Sequence, residues 1–87
     1  MTKETTKETT RDALADSSFP IRPMSKSELA MAYAPNLTTQ GAVNRLMEWI
    51  RYNPDLTEAL LRTGYRKSQK LLTSLQVRTI ISYLGEP

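Results

Sequence analysis

The sequence predicts an all-α fold, a compact bundle of four short helices after a disordered N-terminal tail. Three observations carry this. Two segments place apolar residues at i, i+3, i+4 and i+7, two open with a capping box, and proline or glycine stands at the helix boundaries. The chain has 87 residues, enough for at most one domain. Residues 1–18 repeat Lys-Glu-Thr-Thr at Lys3–Thr6 and Lys7–Thr10 and hold almost nothing apolar before Ala13. Such a segment cannot bury enough surface to offset its ordering entropy. It reads as a tail, with room for one helical turn around Arg11–Asp16, and the folded domain is expected over 19–87.

The first helix opens at Ser25, with Glu28 three residues on completing a capping box. Met24 and Leu29 stand at hydrophobic-staple spacing, Leu29, Ala30 and Tyr33 supply a buried stripe, and Pro35 ends the helix. The second helix is capped by Thr38 or Thr39. Its stripe is Val43, Leu46, Met47 and Ile50, with Ala42 and Trp49 about 100° to one side. Asn53 caps the third helix, Pro54 suits its first position, and Asp55 and Glu58 favour the positive end of its dipole. Leu56, Ala59 and Leu60 face inward and Gly64 supplies the left-handed stop.

Thr73 and Gln76 form the second capping box, ahead of the stripe Val77, Ile80, Ile81 and Leu84, and Gly85 with Pro87 closes the helix. The expected interior is Leu29, Val43, Leu46, Ile50, Leu60, Val77, Ile80 and Leu84. The connector "GYRKSQKLL" is open to an irregular path or a small hairpin.

Composition narrows the function. Histidine and cysteine are absent, which removes the commonest general base, the commonest metal ligand and any thiolate site. Within 19–87, Glu28 is assigned to a cap, Asp55 and Glu58 to a helix start and Glu86 to the terminus, leaving only Glu48 free; no carboxylate pair or phosphate-cradling glycine loop is present there. A non-enzymatic protein is expected, without cofactor, metal or small-molecule substrate. No segment has the apolar run of a secretory leader, about 7–15 residues, or the roughly 20 residues of a membrane span. A cytoplasmic protein that does not engage the membrane is expected.

Charge is uneven. The tail carries three basic against four acidic residues and the domain nine against five, an excess that favours a polyanionic partner. Helix two offers Gln40, Asn44, Arg45 and Arg51 outward, side chains that pair with adenine or guanine edges in a major groove, with the acid Glu48 among them. From Arg62 to Thr73 the chain holds Arg62, Arg66, Lys67 and Lys70 and no acid, with Tyr65 interleaved, a composition that suits a phosphate backbone. Each patch also has a bland reading, as a solvated helix face or as cations at the negative pole of helix three. Trp49 and Tyr52 are either core anchors or the centre of a protein interface or homodimer contact. Met24, Met31 and Met47 read as gap-fillers.

The "ELA" of Glu28–Ala30 with Tyr33 and Pro35, the pair Trp49–Ile50, the pair Gly64–Tyr65 and the terminal "YLGEP" together resemble a family of short Bacteroidetes proteins known as a domain of unknown function. The resemblance covers nearly all of 19–87 and implies a small bacterial cytoplasmic protein, with no reaction, ligand or partner attached. The order "KSELAMAY", "TTQGAVNRLMEWI", "GYRKSQK", "LTSLQVRTII" is similar to helix-turn-helix DNA readers of the MerR or excisionase kind. There a short helix precedes a recognition helix and a "GYR" wing leads into a Thr- or Ser-capped helix. This second resemblance implies double-stranded DNA as partner. The chain departs from it in the longer link "APNLTT", with Pro35, and in an extra helix over 55–63 before the wing.

Overall fold

The computed structural model describes residues 19–87, so the expected tail and the expected turn at 11–16 lie outside the described residues. The chain is mostly helical, in the order β1 (Met24–Ser25), α1 (Lys26–Tyr33), α2 (Thr39–Arg51), α3 (Pro54–Leu61), β2 (Leu71–Leu72), α4 (Ser74–Leu84). All four expected helices are present. The strands are an addition to the all-α expectation, and the connector makes no local hairpin: β2 pairs antiparallel with β1, Met24 opposite Leu72 and Ser25 opposite Leu71.

The physical reason lies in the helix entries. An N-cap residue is extended while its side chain closes the first turn, and the caps Ser25 and Thr73 have ψ of 155° and 165°. Two extended entries laid side by side satisfy each other's backbone groups. The Lys26 N–H continues the ladder to the Lys70 carbonyl at 2.7 Å. The paired Met24 and Leu72 are also the residues just before the two caps. With their staple partners Leu29 and Val77 they are buried, so one apolar cluster fixes both entry angles.

Each helix is closed by its own chemistry. The Ser25 hydroxyl accepts the Glu28 N–H at 2.9 Å, but the Glu28 carboxylate turns out to the Arg22 guanidinium, so the expected capping box is half formed. At α4 the box is reciprocal: Thr73 Oγ1 accepts the Gln76 N–H at 3.1 Å and Gln76 Oε1 accepts the Thr73 N–H at 3.0 Å. Thr38 caps α2 through the Gly41 N–H and Asn53 caps α3 through the Leu56 N–H. Helix α3 stops at Leu61, short of Thr63, and the chain reverses at Gly64 with φ +85°, a conformation glycine adopts without a Cβ penalty.

The core is Leu29, Leu46, Leu56, Leu60, Leu72, Val77 and Ile80, all fully buried, with Met24, Ala30, Ala42, Ile50 and Tyr65. Val43 and Leu84, expected inside, are half-buried at its edge. Helix α2 is rotated so that Ala42, Leu46 and Ile50 face inward and Val43 and Met47 flank them. Helix α1 packs on α2 more extensively than any other pair of elements does, and its cover draws the buried line toward Ala42. Among the described residues no helix is long and apolar enough to cross a membrane.

Candidate nucleic-acid interface

Gln40, Asn44, Arg45 and Arg51 are all exposed on α2. At about 100° per residue, Gln40, Asn44 and Arg51 share a narrow arc of about 40°. Arg45 lies about 100° beyond Asn44, with Glu48 between them. Gln40 Nε2 donates to Asn44 Oδ1 at 2.9 Å, so the two amides act as one unit with an oxygen and an NH2 still pointing outward. Arg51 Nη2 donates to the Tyr52 hydroxyl at 3.3 Å, and its guanidinium lies 4.9 Å from the Tyr52 ring centre. Tyr52, 73% exposed, is therefore a platform that presents the Arg51 charge.

The basic connector divides in two. Arg62 pairs with Glu58 at 2.8 Å, one turn back on α3, so this cation is opposed, contrary to the reading of the segment by itself. The i, i+4 spacing of Glu58 and Arg62 was the available signal. Arg66, Lys67 and Lys70 are exposed and form no ion pair among the described residues. Their loop is nonetheless held. Gln69 Oε1 accepts the Arg66 N–H at 2.7 Å, and Gln69 Nε2 donates to the Leu71 carbonyl and to Gln76 Oε1. Gln76, 2% exposed, donates in turn to Thr63 Oγ1 at 3.1 Å, so one amide joins the end of α3, the loop and the start of α4.

The residue that sequence reasoning missed is Lys26. It is only 9% exposed; its Nζ donates to the Lys67 carbonyl at 2.8 Å and lies 5.4 Å from the centre of the Tyr65 ring. Burial pushes its pKa down from the ordinary lysine value. Nothing local marks Lys26, because its environment is created by the β1–β2 pairing, which brings residues 65–70 against the start of α1. Its charge sits under the loop and adds to the positive field there.

Arg51 and Lys67 line one groove between α2, α3 and the loop. The structure thus brings one loop cation, Lys67, beside Arg51 at the C-terminal end of α2, while Arg66 and Lys70 stand off this groove. Trp49 and Tyr52 have different neighbours: Tyr52 meets Arg51 and Trp49 meets Tyr33. Trp49 is half-buried, packed edge-on against Tyr33 at 5.7 Å and 88°, and with Leu84, Glu86 and Pro87 it lines a separate cleft. The Tyr33 hydroxyl donates to the Gly85 carbonyl. Burial, with the nearby Glu86 charge, pushes the Tyr33 pKa up to about 12. Among the described residues no group of three or more acidic side chains is placed to hold a metal ion.

No curated protein and no solved structure matches the chain significantly. A family-wide sequence model does, over residues 20–87, which spans every described element from β1 to α4. The chain belongs to the family described as Domain of unknown function (DUF4248).

Proposed function

We propose that the chain is a non-enzymatic nucleic-acid-binding module, a small helix-turn-helix-like regulator acting on double-stranded DNA in the cytoplasm of a Bacteroidetes cell. The observation that supports this reading is the groove shared by Arg51 and Lys67, which sets a cation of the loop beside a cation of α2. In the proposed mechanism Arg66, Lys67 and Lys70 neutralise phosphates. Gln40, Asn44, Arg45 and Arg51 meet base edges and the adjoining backbone. Arg62 contributes after release from Glu58, an exposed pair that costs little to open. The β1–β2 pairing supports the resemblance to winged readers, because it holds the "GYR" loop against the helix that precedes α2. Helix α3 between α2 and the loop remains the departure.

The test is titration of the full chain with duplex DNA at about 50 mM and about 200 mM salt. Each phosphate contact is expected to steepen the fall in log affinity by about 0.9 per log unit of salt. Absence of binding at the lower salt removes the reading. A second reading, a protein or homodimer interface at Trp49 and Tyr52, draws on the exposure of Tyr52. It requires sedimentation to show a dimer that Trp49→Ala returns to monomer.

A further inference from the structure

The Arg51–Lys67 groove has a second property that DNA does not use. Its floor and walls are Met47, Ile50, Leu60, Leu61 and Tyr65, its volume is about 250 Å³, and among the described residues no acidic side chain lines it. Leu61 stands on its wall at 60% exposure, apolar surface that a partner could cover favourably. We propose that this groove is a docking site for an acidic amphipathic helix of a partner protein. The partner's apolar side chains would enter between α2 and α3 while its carboxylates meet Arg51 and Lys67.

Charge complementarity selects this occupant. Among the described residues, the ionisable groups on the lining besides the Tyr65 phenol are two cations, and Lys26 adds a third charge against Tyr65. A basic or neutral segment gains nothing from them. The volume is below the roughly 300–1,000 Å³ of sites that enclose a small ligand, which need to bury most of its surface. A partner helix needs only to insert side chains at i, i+3 or i+4 and keep its backbone outside. The inference goes beyond the nucleic-acid reading and stands without it.

The experiment is selection of a random phage-displayed peptide library on the full chain, with enriched peptides resynthesised and their affinities measured by fluorescence anisotropy. Enriched sequences are expected to carry apolar residues at helical spacing flanked by Asp or Glu. Binding is expected to weaken about tenfold or more in Leu61→Ser and in Lys67→Glu, and to weaken with added salt. Because Leu61 is exposed, Leu61→Ser keeps the fold, which circular dichroism checks. Arg66→Glu with Lys70→Glu, off the groove lining, is expected to weaken duplex DNA and not the peptide, so failure of docking and failure of DNA binding are read separately. The proposal is overturned by no enrichment, by peptides with basic flanks, or by affinities indifferent to Leu61→Ser. A dimer of the chain itself that Leu61→Ser dissolves also overturns it.

Discussion

The entries of α1 and α4 carry the same kind of motif, Ser25-x-x-Glu28 and Thr73-x-x-Gln76, and lie side by side through the Met24–Leu72 pair. One closes fully and the other does not. A glutamine amide is neutral and both donates and accepts, so it can be buried if its partners are fixed. Gln76 has Thr73, Gln69 and Thr63 around it. A carboxylate only accepts, costs much more to bury, and has Arg22 available at the surface. The motif determines where a helix starts; the chemistry of its third residue decides whether that start also organises the neighbouring loop. The same two helices are joined again at their far ends, where Tyr33 at the end of α1 donates to the carbonyl of Gly85 at the end of α4.

Breaking the closed entry should have the largest effect. Gln76→Ala removes the donor to Thr63 and the acceptor for Thr73 and Gln69, and is expected to cost about 2–4 kcal/mol in urea unfolding. It should also loosen residues 66–70, read as faster amide exchange there. The caps come next: Thr73→Ala and Ser25→Ala are each expected to cost about 1 kcal/mol, with the larger loss at Thr73, where the reciprocal bond falls too. Tyr33→Phe deletes the link at the far ends for about 0.5–1.5 kcal/mol.

That variant has a pH signature. The Tyr33 pKa of about 12 lies above the ordinary tyrosine value of about 10, so folding favours the neutral phenol. Its contribution is full below about pH 10 and lost as the pH rises through 12. Tyr33→Phe should flatten that part of the alkaline stability curve. The smallest effect is expected from Glu28→Gln. Arg22 holds the Glu28 pKa down through their hydrogen bond, so the pair's contribution is present above the carboxylate range and fades as the pH falls into it. The variant should lose that acid limb and its salt dependence, and a neutral amide at position 28 is free to close the box.

Elements set by nearby residues were legible in the sequence. The caps at Ser25, Asn53 and Thr73, the stops at Gly64 and Gly85 and the staples need only a few adjacent positions. Where helices touch was less so: the period of α2 gave a stripe through Val43, and the cover of α1 moved it to Ala42, a rotation no single-helix pattern contains. The strand pair is two residues long on each side and joins segments far apart in sequence, so it left no periodic trace. Lys26 and the groove follow from that pairing and were invisible with it. In the candidate site, the exposure of Gln40, Asn44, Arg45, Arg51, Arg66, Lys67 and Lys70 was readable from polarity alone. The Arg62–Glu58 pair was readable from its spacing.

The most direct test of the joined surface is NMR mapping of amide shifts as duplex DNA is added at low salt. Shifts are expected together, with one saturation curve, at Gln40, Asn44, Arg45 and Arg51 on α2 and at Arg66, Lys67 and Lys70 in the loop, while Trp49 and Leu84 stay still. Shifts confined to one of the two regions, shifts centred on Trp49, or none at all would contradict it.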